Sequence, residues 1–475
     1  MTVFPHPLYR RIVLEPAYAD ASAYLFAPML AAHRAHVHML ARQGILSAPC
    51  AEAILAAVAQ VEAEGMAALA YRPGVEDLFF AVEGRIIALA GAECGGNLQL
   101  ARSRNDLGAA LGRLALREQQ TLLLAALTGL RQAVLRQARA HLDTLMAGHT
   151  HTQPAQPTTL GHYWLGVASA LARDDARLRV AQAVTNCSPL GAAAFTTTGF
   201  PIDRDMLARE LGFDSLLVNA HDAIGAADHY LQTASSLMIL ASNLTRVCHD
   251  LLILATQEVG GLTVDDSFIQ ISSIMPQKRN PVVLEHLRAR LANVYGGGLT
   301  LFAQAHNVPY GDTQDIEDEM LAPLFHLCSV ADDCLTLLTA VVDTLVVHRE
   351  RLAARAADGF TTATELADSL VRDKGLPFRT AHQIVSRVVR RAIADGIQPQ
   401  AVTASLVEEA ARELGIPPLD LDDAWVRQAL DPAHFVAIRN IPGGPGPRAA
   451  SALLDALETE LRAQTPNIPT SQNDP

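Results

Sequence analysis

Residues 107–142 read LGAALGRLALREQQTLLLAALTGLRQAVLRQARAHL, and this one run decides the fold class. Its apolar residues recur at three- and four-residue spacing, the period of a helix with a buried stripe. It is built largely from alanine, leucine and arginine, which lose little side-chain freedom in a helix. Working outward, the same pattern fills residues 22–43, 158–183, 222–256, 281–305 and 317–348. Alternating apolar and polar runs are nearly absent, and no internal repeat recurs, which sets a solenoid aside. The expectation is an all-α chain whose longest helices form a central bundle. Leucine and alanine on several helix faces predict that more than one face is buried, which favours an oligomer.

Punctuation divides the chain further. Residues 1–108 hold shorter helices, closed by the glycine-bearing segment 91–96, and are read as an N-terminal helical domain. Residues 109–355 are the long-helix bundle. A C-terminal helical domain, 356–465, restarts after Asp358-Gly359, with Pro377, Pro417, Pro418 and the run GGPGP at 443–447 as breaks. Residues 466–475 are polar and proline-bearing, and are read as a disordered tail.

Composition excludes several functions. The 475 residues carry 37 basic and 50 acidic side chains, a formal charge of −13 with no basic tail. That balance is poor for nucleic-acid binding. No uninterrupted apolar run nears the ~20 residues that span a bilayer, and the N-terminus MTVFPHPLYRR lacks the plan of a signal peptide. The six cysteines (50, 94, 187, 248, 328, 334) show no CxxC pair or metal spacing, and read as buried thiols of a cytoplasmic protein. Only two of the basic residues are lysines, Lys278 and Lys374. Arginine cannot copy a compact ammonium everywhere, so each survivor invites a reason.

Three polar segments interrupt the helices. In the first, residues 100–106 (LARSRND), two arginines, a serine and an asparagine meet at a helix start. That suits a carboxylate or phosphate, and equally a capped helix with solvated arginines. In the second, residues 148–157 (GHTHTQPAQP) followed by Gly161-His162 set three histidines among threonines and glutamines. No carboxylate or cysteine joins them locally as in zinc sites, which leaves an acid–base histidine or a structural turn. The third, residues 271–281 (ISSIMPQKRNP), is the most specific. Two serines, Lys278 and Asn280 stand before a helix expected to open with Pro281 at its first position. Hydroxyls, an ammonium and a helix N-terminus together describe a site for a dianion.

On these residues the chain resembles the fumarase/aspartase superfamily. SSIMPQKRNP matches its paired serines, Met-Pro and Lys-x-Asn-Pro. ARSRND, THTQPAQP with the later Gly-His, EDLFFAVEGRI (76–86), SPLGAAAFTTTGFPIDRD (188–205) and ATELADSLVRDKGLPFRTAH (363–382) resemble the argininosuccinate lyase branch. The resemblance runs from about residue 10 to 455. It implies a three-domain all-α fold and a homotetramer whose subunits share active sites. It also implies a carbon–nitrogen lyase of amino-acid metabolism that releases fumarate reversibly. The substrate would be a small dicarboxylate, an N-(1,2-dicarboxyethyl) amine, with no metal or organic cofactor, nucleic acid or membrane involved. By the same resemblance Ser272 would be the general base, and Lys278 and Asn280 would hold the carboxylate whose charge grows. His151 and its acidic partner Glu285 would relay a proton. Arg104, Asn105, Thr150, Gln153 and Ser273 would bind the fumarate-side carboxylates.

Departures from the branch fall mostly on the leaving-group side. Ile271 replaces a glycine before the serines, and Ala226-Ala227 stand where Asp-Arg is usual. The branch tyrosine aligns with Tyr310, and its later glutamine and lysine become Glu317 and Met320. An acidic Glu317 would favour a cationic amine or diamine over arginine. Two alternatives accompany this reading: a true argininosuccinate lyase of arginine biosynthesis, and a catalytically silent structural protein on the same scaffold.

Overall fold

A computed structural model describes residues 4–464, so the expected tail at 466–475 lies outside the described residues. The chain is mostly helical, with long helices at Arg104–Ala140, Leu160–Thr185, Asp228–Ala255, Val282–Ala305 and Leu321–Asp343. The expected helix over 222–256 is broken at Ala226–Ala227, where Ala226 turns to extended backbone and a short helix Ala220–Gly225 ends. Among the described residues, strands enter only as two-residue pairs and one longer hairpin, Leu145–Thr150 with Gln153–Thr159.

The described chain gathers into two compact units, each discontinuous in sequence, and their boundaries fall inside long helices. The first unit draws on Met1–Ala125, Asp174–Ser242 and Arg290–Asp333. In it the helices Phe26–Arg42, Ala48–Glu64 and Leu78–Ala90 bury Leu40, Ile54, Val58, Val82 and Ile86 with Leu107 and Leu111. Removing such apolar surface from water is the main favourable term in folding. Under this core the guanidinium of Arg102 is buried, donating to Gln99 Oε1 at 2.8 Å and lying 2.9 Å from His33 Nδ1. His36 Nε2 meets the Leu100 carbonyl at 2.9 Å. These bonds set the chain segment that leads into Arg104.

The second unit draws on Ala126–Arg173, Asn243–Ala289 and Cys334–Pro475. Its C-terminal helices pack around Leu370, Ile384, Val388, Val407 and Val426. Lys374 ends the helix Ala363–Lys374, donates to the Asp420 carbonyl at 3.3 Å and lies 5.9 Å from the Trp425 ring. Its part is structural.

Two expectations need correction, on the cysteines and on one helix start, and a third, on membrane spans, stands. Cys50 and Cys94 form a disulfide, so four cysteines stand outside a disulfide, and of these Cys187 is only half-buried. The spacing of 44 residues concealed a pair that the helix packing brings together. Two stretches, Asp228–Ala255 and Gln314–Asp343, are long and apolar enough to cross a membrane by length and composition alone. Scattered polar residues interrupt both, so neither contains an unbroken apolar run of that length. Their buried residues recur helically, as with Leu237, Leu240, Ala241, Leu244, Cys248 and Leu251, which is the pattern of core helices. Finally, the helix after the third segment begins at Val282, with Pro281 just ahead of it.

Candidate active site

The third polar segment is a clamped loop in the second unit. Gln270–Ile271 pairs antiparallel with Arg279–Asn280, and the Asn280 amide donates to the Gln270 carbonyl at 3.0 Å. Arg279 pairs with Asp266 on the approach to the loop. The clamp leaves residues 272–278 as a tight arch. Within it Ser272 Oγ accepts the Met275 N–H at 3.0 Å and the Ile274 N–H at 3.4 Å. Two amides aimed at one hydroxyl oxygen favour negative charge on it. Ser272 is half-buried and Ser273 exposed, while Ile271 and Ile274 are exposed at 76% and 82%.

Lys278 and Asn280 line a crevice of about 1450 Å³ with Met275, Glu285, Arg288 and His348. Glu285 sits in the first turn of Val282–Ala305. The crevice thus collects Lys278, Asn280 and Glu285 from the residues singled out in the sequence.

Thr150, His151 and Gln153 meet at the tip of the hairpin Leu145–Thr150/Gln153–Thr159, where Thr150 faces Gln153. The two turn residues, His151 and Thr152, both have positive φ, 51° and 62°. Right-handed strand twist favours this geometry in two-residue hairpins, ordinarily with asparagine and glycine. Holding a histidine and a β-branched residue there costs energy, and such strain clusters at functional sites. Below the tip, His162 Nδ1 meets Thr158 Oγ1 at 2.8 Å and its Nε2 meets the Gly443 carbonyl at 2.9 Å. His162 is therefore a satisfied structural residue.

The first unit holds the remaining candidates. Arg104 opens its helix, pairs with Asp77 at 2.8 Å and Glu76 at 3.7 Å, and stacks over Phe80. Asn105 follows, donating to the Ala194 carbonyl at 3.5 Å. Asp106, fully buried, accepts from the N–H groups of Ser103, Gly191 and Ala193 at 3.0, 2.8 and 3.1 Å. It staples the 188–205 segment to the helix start. Glu317 is half-buried against Gly108. Burial, with Asp312 and Asp318 nearby, pushes its carboxyl up to about 8, against the pull of Arg104. Tyr310 is 62% exposed, its hydroxyl bonded to Asp222 and its ring stacked on His221. Its pKa is raised to about 12, first by that bond and then by burial. Met320 is fully buried.

Sequence reasoning missed Asp222, His221 and His229, which carry no local signal and reach the site only by folding. Among the described residues, no group of three or more His, Cys, Asp or Glu side chains is placed to hold a metal.

Residues 19–296 match the lyase family and residues 360–437 the argininosuccinate lyase C-terminal family. The argininosuccinate lyase of Methanothermobacter thermautotrophicus is 38% identical over 444 residues, covering 93% of this chain and 94% of that one. The chain belongs to the argininosuccinate lyase family. Within that family, argininosuccinate lyase 1 of Shouchella clausii is 34% identical over 96% of this chain and 92% of its own. Among solved structures, EDDS lyase in complex with formate superposes with a TM-score of 0.85 at 33% identity, covering 97% of this chain and 91% of that one. Family members therefore carry more than one name for what they act on.

Proposed function

We propose that this fumarate-releasing carbon–nitrogen lyase acts on an N-(1,2-dicarboxyethyl) amine, with Ser272 as base. The proton to be removed lies beside a carboxylate and is weakly acidic, so its loss creates an aci-carboxylate dianion that needs preorganised positive charge. Ser272 takes the proton, the freed electron pair forms the carbon–carbon double bond, and the C–N bond breaks. The departing nitrogen gains a proton through a relay in which His151 and Glu285 take part. Lys278 and Asn280 hold the carboxylate that gains charge, while Arg104, Asn105, Thr150, Gln153 and Ser273 bind the other carboxylate and orient the substrate. Tyr310 and Glu317 belong to the leaving-group wall. The observation that carries the reading is the convergence of two backbone N–H groups on Ser272 Oγ, in an arch that also presents Lys278.

A homotetramer with shared active sites is part of the proposal, as is the division into domains 1–108, 109–355 and 356–465. Tyr295, Leu299 and Phe302 lie on one face of Val282–Ala305 and are 44%, 51% and 39% exposed, which supports burial of that face by another subunit. A cytoplasmic setting is included too. The buried thiols of Cys248 and Cys328, outside any disulfide, support it, and the Cys50–Cys94 bond weighs the other way.

The test is fumarate release from argininosuccinate and from a panel of other N-(1,2-dicarboxyethyl) amines. Ser272→Ala should abolish release from every substrate while the circular-dichroism spectrum is unchanged. Retained activity in that variant would overturn the role of Ser272. A true argininosuccinate lyase is favoured by the names of the relatives, and efficient turnover of argininosuccinate alone would establish it.

A further inference from the structure

Beside Asn105 in the first unit lies a small pocket of about 30 Å³, room for one group the size of a water molecule or an ammonium head. Its wall takes Glu317 from the short helix Gln314–Glu317, Asp312 and Thr313 from the preceding turn, His229 from Asp228–Ala255 and Gly108 from Arg104–Ala140. His229 is 3% exposed, yet neither ring nitrogen has a hydrogen-bond partner among the described residues. Thr313 Oγ1 is buried and unpartnered as well. Burying such groups unmet is costly, so the pocket is suited to receive a polar group.

Charge decides which kind. The groups acting on the Glu317 carboxyl are Asp312, Asp318 and Asp77 and a single cation, Arg104, which is already paired with Asp77 and Glu76. Burial, with Arg113 nearby, holds His229 neutral, so it can offer a lone pair. A carboxylate entering here would meet two acids on the wall, Asp312 and Glu317. Glycine at 108 is what admits Glu317, since a Cβ there would lie 2.3 Å from its Oε1.

We propose that this pocket is the subsite for a free ammonium on the leaving amine, which makes the preferred substrates N-(1,2-dicarboxyethyl) diamines with no carboxylate on the amine side. The proposal rests on the lyase reading above and on the substrate-holding part given there to Asn105. The α-carboxylate of an arginine leaving group would be repelled by the acids that line the pocket.

The experiment compares kcat/KM for fumarate formation from the N-(1,2-dicarboxyethyl) derivatives of a short diaminoalkane, of the alkylamine of equal length, and of arginine. Wild type should favour the diamine over its uncharged counterpart by at least about tenfold, and Glu317→Gln should erase that ratio. Gly108→Ala, which displaces the carboxylate, should lower the ratio too. Because only the ionised carboxylate pairs with a cation, the wild-type ratio should grow as pH rises through about 8, and stay level in Glu317→Gln. A merely structural loss would slow all three substrates together and leave the ratio unchanged, which overturns the proposal. Preference for the arginine derivative, or no wild-type preference, overturns it equally. If wild type releases fumarate from none of them, the lyase reading falls. Calorimetric titration with the free diamine then decides the subsite: binding by wild type and not by Glu317→Gln supports it, and equal or absent binding overturns it.

Discussion

A serine hydroxyl ordinarily keeps its proton far above neutral pH, so Ser272 can act as a base only through its neighbours. The sequence displayed the paired serines, Lys278 and Asn280, but the two N–H groups that reach Ser272 Oγ come from the arch and are invisible in it. Lys278 matters for shape as well as charge. A guanidinium spreads its charge over a plane and cannot replace a compact ammonium against one carboxylate. Lys278→Arg should therefore fold normally, by circular dichroism, and lose about a hundredfold in kcat for fumarate release, the scale of one stabilising donor. Asp106 shows the opposite case, a residue whose whole value is structural. Asp106→Ala leaves the buried N–H groups of Gly191 and Ala193 without their acceptor, which should cost about 3 kcal/mol of unfolding free energy in urea. Asp106→Asn keeps one acceptor oxygen and should recover part of that loss.

At the scale of elements, the long helices were legible because their apolar period extends over many turns, and their ends fall within a few residues of the expected ones. The hairpin at 145–159 was not. Its second strand, QPAQPTT, carries two prolines and no clear alternation, so local propensity reads as loop. Pairing with Leu145–Thr150 and packing against the helix Arg349–Ala356 in the same unit override that propensity. The strained turn at His151 and Thr152 offers a direct check. Thr152 is β-branched at φ 62°, so Thr152→Gly should raise stability by about 1 kcal/mol, read as a higher Tm. If the strain serves to present His151, the same change should lower kcat more than it alters KM. The clamp Gln270–Ile271/Arg279–Asn280 teaches a similar lesson, since a two-residue pairing has no period to read.

At the scale of the molecule, three buried histidines tie stability to pH. Burial lowers the pKa of His36 to about 3, and holds those of His33 and His229 well below the ordinary histidine value of 6.5. At these three sites the unfolded chain binds more protons than the folded one below about pH 6.5, so they make stability rise with pH there, while Glu317, raised to about 8, offsets about one of them and lowers stability as pH climbs on toward 8. Each histidine contributes about 1.4 kcal/mol per pH unit in that window. The Tm should fall steadily as pH drops from about 6.5 to 5, and His36→Gln should flatten the slope. Taken alone, the sequence determined the helical class, the family and the polar segments from which a site is made. Helical periodicity and short motifs are local, and a linear chain displays them in full. Only the tertiary structure decided that Cys50 meets Cys94, that Asp222 and His221 hold Tyr310, and that Glu317 and His229 line one pocket with Gly108. These are meetings of residues far apart in the chain, and only packing sets which of them come within bonding distance.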